Sequence, residues 1–499
     1  MERELYQNLG FKENPFSRFS AEEELEYLED IFIHPKYYQT IYSDLQAGAS
    51  RFIFGERGIG KSALMFKLKN QLENEKKFAI LIDRYDEIPL KNNNKEFLLE
   101  VLKVLTTNFS IMILKNPFII KSLNKYDKEK LAFFINTFFK SLSRTEFEEI
   151  YNKATSYKVK NIFKKFFNWL LLKPINITIS GASEFISSTV SNSLGLNNPS
   201  REFYKSYIPE LQLKHIEESK INIKILEYKR IKEFLNDLVG IIKKTGYDKA
   251  VIFFDKIDEY QELGGNIDLI SEFLKEIISD TNLLYLNDLS LVFVLWNKIK
   301  GPLNTKGLRC DKFKARDITW TTDEIERILE SRLKHFSIDS EKSVIINGII
   351  KEKKYLDEIY NIANGSPRHL IMLLSSIYDE QAILDSNVNE FSNEAIERGM
   401  LNFIKNFDYH SIYPGKSTTK DYIVNVINKI LKVGKVEFEI KDMVATYKIS
   451  NQNASSIIQK MRNYALIDEI DNTGSKAKRY LIIEPKIKYL VNNKINKLE

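Results

Sequence analysis

The sequence predicts an α/β fold: a parallel sheet covered by helices, with a large helical insertion, a helical lid and a C-terminal winged helix. Three observations predict it. The β-rich apolar runs FAILID (78–83), AVIFFD (250–255) and LSLVFVLWN (289–297) are separated by segments with apolar residues at helical spacing. A glycine-rich loop, GERGIGKS, joins the β-type run RFIF to a helical period. The C-terminal stretch reads helix, helix, helix, hairpin.

Taken in order, residues 1–50 form an approach segment. ENPF breaks structure at Pro15, AEEELEYLEDIF starts a helix with acids in its first turns, and HPKYYQTIYSDLQAG is a second helix. The loop that follows fits G-x-x-x-x-G-K-[ST], with Gly55, Gly58, Gly60, Lys61 and Ser62. Glycines let backbone N–H groups turn inward and approach phosphate oxygens. The expected cradle is Gly55, Glu56, Arg57, Gly58, Ile59, Gly60, Lys61, Ser62 and Ala63. Lys61 supplies charge to the β- and γ-phosphates, Ser62 Oγ ligates Mg²⁺, and the N-terminus of the next helix adds to the anion site. Strand, loop and helix together predict a P-loop NTPase core over residues 51–320. Residues 95–245 read as an all-helical insertion, with a Ser/Asn/Gly-rich stretch at 176–199 that is a loop or a mobile element.

Hydrolysis needs more than a phosphate loop. Asp255 ends an apolar strand and is placed to hold Mg²⁺ through a water. Asp258 and Glu259 follow; one of them orients or deprotonates the attacking water, or else the two simply begin a helix. Asn297 ends the next strand, where a polar side chain reaches the γ-phosphate or its water, unless it serves only a turn. RDITW (316–320) is a short last strand. Arg368, after the Gly-Ser-Pro turn, reaches the phosphates from a helical lid at 321–410, or else faces solvent. A guanine-reading NKxD box is approached by Asn297-Lys298, but Lys300 stands where the acid belongs, so ATP is favoured over GTP.

The winged-helix domain spans 416–499, where 16 Lys and Arg face 9 Asp and Glu, against a net charge of +6 for the whole chain. Lys460 and Arg462 fall on the would-be recognition helix, and Lys476, Lys478 and Arg479 on the wing. That placement suits phosphate contacts with duplex DNA; protein docking is the alternative use of such a domain. The single cysteine, Cys310, cannot form a disulfide within the chain. There is no signal pattern and no apolar run near the ~20 residues a bilayer requires, so a cytoplasmic location without a membrane partner is expected.

The order of motifs resembles AAA+-type ATPases, closest to the STAND/NACHT-like and origin-recognition-like branches, over roughly residues 10–90 and 248–490. FGERGIGKSAL is similar to their Walker A, FFDKIDE resembles the Walker B of NACHT-like members, and GSPRHL resembles the sensor-2 region of the lid. The resemblance implies an ATP-gated switch whose hydrolysis depends on self-association. It also implies a prokaryotic anti-phage setting with a separate effector chain or, alternatively, a DNA-binding loader or initiator. Lys256, directly after the Walker-B acid, departs from the pattern and leaves room for a non-hydrolysing scaffold. Arg309 and Arg316, near the last strand, are the arginine-finger candidates by position.

Overall fold

The computed structural model describes residues 4–139, 196, 199–208, 226–310, 312–339, 341–413, 422–470 and 478–498. Five parallel strands make the central sheet: β1 (Arg51–Gly55), β2 (Lys77–Ile82), β3 (Lys249–Phe254), β4 (Leu289–Trp296) and β5 (Ala315–Asp317). Their order is β2-β3-β4-β1-β5. Strands covered on both faces carry nearly continuous apolar runs, and every residue of β4 is buried. With the phosphate loop leaving β1, this is the P-loop NTPase fold the sequence predicts. The last strand begins one residue earlier than expected and ends at Asp317.

Each sheet face has its own core. On one, Phe52, Phe293 and Phe254 form a stacked ladder across β1, β4 and β3, with ring centroids 5.1 and 4.6 Å apart. Helices Asn94–Lys115 and Tyr228–Lys244 of the insertion close over that side, so this part of the insertion completes the core. On the other, Ile53, Val251, Phe253 and Val294 pack against helices Tyr38–Gln46 and Lys61–Asn74. The Ser/Asn/Gly-rich stretch expected at 176–199 lies, but for Leu196 and Pro199, outside the described residues.

A third core joins parts that the sequence reading kept separate. Leu5, Leu9, Phe11 and Phe16 of the N-terminal segment pack with lid helices Thr322–Phe336 and Pro367–Leu384. The same cluster continues into the winged helix through Ile427, Ile458 and Leu490. The approach segment therefore belongs structurally to the lid as far as Ile31. The expected helix at AEEELEYLEDIF is also broken, into a 3-10 turn at Ala21–Glu24 and a short helix at Leu28–Ile31. Tertiary contacts decide the break: the Glu24 carboxylate turns inward to buried Arg332, and Tyr27 stacks on His335 at 4.8 Å.

The winged helix comprises helices Tyr422–Val433, Ile440–Tyr447 and Asn451–Asn463 and an antiparallel sheet of β6 (Glu437–Glu439), β7 (Ile467–Ile470) and β8 (Arg479–Ile482), ordered β6-β8-β7. Strand β6 was not foreseen. The expected hairpin turn at 472–474 and Lys476 lie outside the described residues.

Candidate functional site

The site forms at the carboxyl ends of β1 and β3, where parallel sheets place their ligand crevices. Gly60 caps helix Lys61–Asn74 with φ 90°, a conformation L side chains rarely adopt, and a Cβ there would meet nothing within 4 Å. The backbone thus requires glycine while the space above it stays open. Lys61 Nζ donates to the carbonyls of Gly55 (3.1 Å) and Glu56 (3.0 Å), so the loop itself holds the ammonium at its mouth. Burial pulls the Lys61 pKa down, and the charges of Asp258 and Asp255 oppose that pull.

Ser62 Oγ donates to Asp255 Oδ2 at 2.7 Å, joining the two magnesium-ligand candidates across 193 residues. Burial raises the Asp255 pKa, and the Ser62 hydrogen bond partly offsets it. The Tyr85 hydroxyl, shared between the carbonyls of Ile82 (2.9 Å) and Asp255 (2.8 Å), fixes the strand end. A hydroxyl beside a carboxylate is a hard-oxygen donor set that fits magnesium. Among the described residues no three His, Cys, Asp or Glu side chains gather to hold a metal unaided. An ion at this place would therefore share its shell with phosphate oxygens and water.

The residues after Asp255 divide their work. Lys256 takes φ 59° and pairs with Glu22 of the N-terminal segment at 2.6 Å. Asp258 is buried and accepts from Arg57 Nε at 2.9 Å, while Arg57 Nη2 donates to its carbonyl at 2.8 Å. Glu259 is exposed on the cleft wall, and its side chain has no hydrogen bond or ion pair among the described residues. The short 3-10 turn Ile257–Glu259 separates these acids onto different sides; no longer helix begins there.

The lid contributes Arg368. Its backbone N–H donates to Gly58 O (3.2 Å) and its Nε to Phe19 O (3.1 Å), so it touches both the loop and the N-terminal segment. The cleft encloses about 1090 Å³ counted to its open mouth. Away from the glycine loop, Phe19, Leu28, Ile31 and Phe32 with Ile328 and Ile371 of the lid give part of its wall an apolar surface, beside Arg18, Glu24 and Arg332. Sequence reasoning missed this wall. The residues belong to ordinary amphipathic patterns, and only the anchoring of the N-terminal segment by Arg332, which also bonds Arg18 O (3.1 Å), brings them here.

Asn297 is placed elsewhere. Its Nδ2 donates to Glu56 Oε1 at 3.1 Å, Trp296 Nε1 donates to Glu56 Oε2 at 3.0 Å, and Asn297 and Glu56 face a second cavity between core, lid and winged helix. Asn297 thus does not line the cleft of Lys61, Ser62 and Asp255, where the sequence reading put it; its amide meets Glu56, whose side chain also lies outside that cleft. Of the finger candidates, Arg316 is half-buried with its guanidinium 5.0 Å over the Tyr37 ring, and Arg309 lies exposed in a loop.

Three of the basic residues singled out in the winged helix are met by acids of the same domain. Arg462 pairs with Glu469 (3.1 Å), Lys478 with Glu469 (3.0 Å) and Arg479 with Glu437 (3.4 Å); Lys460 is exposed on its helix. Among the described residues no helix is long and apolar enough to cross a membrane.

No family model and no curated protein matches the sequence. Among solved structures, Cdc6p from Pyrobaculum aerophilum superposes with a TM-score of 0.32 at 12% identity, covering 98% of each chain. The Aeropyrum pernix Orc1 protein in complex with DNA gives 0.35 at 11%, covering 94% of each. Drosophila ORC bound to DNA gives 0.27 at 9%, covering 97% of this chain and 90% of that one. At these scores the likeness carries no functional weight, and the fold assignment rests on the sheet order and the phosphate loop.

Proposed function

We propose that the chain binds ATP with magnesium, hydrolyses it, and works as an AAA+-type switch that couples the nucleotide to the placement of its winged helix. The observation that carries this reading is the convergence of Lys61, the Ser62–Asp255 pair and an unpaired Glu259 on one cleft with a partly apolar wall. Lys61 exchanges two loop carbonyls for phosphate oxygens. Ser62 and Asp255 would hold magnesium, which would supply charge neutralisation at the phosphates. Glu259, its carboxylate unpaired, takes the proton of the attacking water. The apolar wall receives the base, and Arg368 closes the lid side.

The switch follows from two further contacts. Arg57 Nη1 donates to Ser411 O at 2.9 Å, and Lys298 Nζ donates to Ile412 O, so the phosphate loop and the end of β4 both grip the segment that precedes the winged helix. A phosphate drawing on Arg57 weakens that grip. Self-association, a separate effector and an anti-phage setting are kept in the proposal on the motif resemblance alone. The test of the site is Lys61→Ala: ATP affinity falls at least about 100-fold, the ~3 kcal/mol that charge-assisted hydrogen bonds supply. Unchanged affinity sinks the assignment.

A further inference from the structure

A groove lies on the winged helix away from the wing, where three elements meet. Helix Tyr422–Val433 presents Asn425, Lys429 and Lys432 at spacings of four and three residues, one face of a helix. Helix Asn451–Asn463 adds Lys460, and the C-terminal tail adds Lys497. The tail is fixed in place: Asn428 donates to Leu498 O at 3.1 Å and accepts from Leu498 N at 2.6 Å. Tyr447 donates its hydroxyl to Lys429 O at 3.1 Å, and the Lys432 ammonium lies 5.0 Å over its ring.

Among the described residues the charge of this groove is one-sided: four lysines line it and no carboxylate does, and Lys429, Lys432 and Lys497 form no ion pair there. By contrast, Arg462 of helix Asn451–Asn463 and Lys478 beside β8 share Glu469, and Arg479 faces Glu437. Unneutralised cations gathered in a concave surface attract a polyanion, which gains affinity as the counterions it carries are released. The groove's one aromatic side chain, Tyr447, is covered by Lys432 and offers no open ring for a base to stack on, which disfavours a single strand.

We propose that this lysine groove, rather than the wing, is the surface through which the chain holds duplex DNA, by its phosphate backbone and without reading sequence. The proposal does not rest on hydrolysis. Its test is the binding of a fluorescein-labelled duplex of arbitrary sequence, titrated at several salt concentrations by anisotropy, with ATP affinity and melting temperature measured on the same samples. In the full chain, Lys429→Gln, Lys432→Gln and Lys497→Gln together are expected to weaken binding at least about 10-fold and to lower the salt slope by about 2 to 3, close to one per lost phosphate contact. Arg462→Gln, Lys478→Gln and Arg479→Gln together are expected to change affinity less than about 3-fold. If the groove variant melts lower than the parent, Lys497→Gln alone, on the exposed tail, is expected to lower the slope by about 1. Loss of binding in the wing variant with retention in the groove variant overturns the proposal. So does an absence of DNA binding by the parent chain with and without ATP, or displacement of the duplex by polyglutamate at equal charge, which would make the groove a site for acidic protein.

Discussion

The acids after β3 show what a residue's surroundings decide. Asp258 and Glu259 are adjacent and chemically alike, yet Asp258 is buried in an ion pair with Arg57 and Glu259 stands exposed and unpaired at the cleft. Glu259→Gln is therefore expected to keep ATP binding and to lower turnover by about 10²- to 10⁴-fold, the span a general base contributes. Asp258→Asn is expected to lower the melting temperature while sparing most of the turnover. Steady-state hydrolysis beside equilibrium nucleotide binding checks both; the reverse pattern would move the base to Asp258. Lys61, Ser62 and Asp255 were legible in the sequence because the phosphate loop and the acid-ended strand are local patterns with fixed geometry. The division of labour between Asp258 and Glu259 was not, because it depends on Arg57, some 201 residues away in the chain. Asn297 was misplaced for a related reason: a strand-end amide can turn to either side, and Glu56 decides which.

At the scale of elements, apolar β-runs and helical periods located the sheet and most of its covering helices. They failed where packing overrules local preference, as at the broken helix of 21–31, and where a strand is too short to show a pattern, as at β6. One contact in the proposed switch and one charge in the lid can be tested at this scale. Arg57→Ala removes the bonds to Asp258 and Ser411, and amide exchange over 409–413 is expected to quicken about 10-fold, or ~1.4 kcal/mol of local opening. Unaltered exchange there would mean that the loop does not hold the linker. His369, on the lid helix Pro367–Leu384, sits edge-on against Phe407 at 4.9 Å, with its pKa pushed down to about 3 by burial and by the charges of Lys486 and Arg368. A group whose folded pKa is depressed in this way is neutral in the folded chain and protonates first in the unfolded one. Stability is then lost as pH falls from about 6.5 toward 3, by up to about 1.4 kcal/mol per pH unit. His369→Gln is expected to flatten that slope in denaturant melts; an identical slope would assign the acid sensitivity to other groups.

Across the whole molecule, the N-terminal segment, the lid and the winged helix share one core, and the sheet with its insertion makes the others. The cleft proposed to take the nucleotide lies where these bodies meet, with its glycine-loop end on the sheet and its other end between the N-terminal segment and the lid. A ligand that bridges them biases their relative placement, which is the physical content of a nucleotide-gated switch. This arrangement was beyond the reach of periodicity, since the segments that build the apolar wall are separated by the entire sheet domain. No arginine of the same chain stands free at the cleft to complete a hydrolytic site among the described residues, because Arg18, Arg57, Arg332 and Arg368 are all engaged by protein groups. In the proposed function, which takes self-association from the motif resemblance, a neighbouring chain would supply that arginine and turnover would depend on assembly. The most direct measurement is ATP turnover per chain across a wide range of protein concentration, with Glu259→Gln as the control. Turnover that rises with concentration and disappears in the control is the expected result; ATP bound with no turnover at any concentration, or turnover that survives in the control, would contradict it.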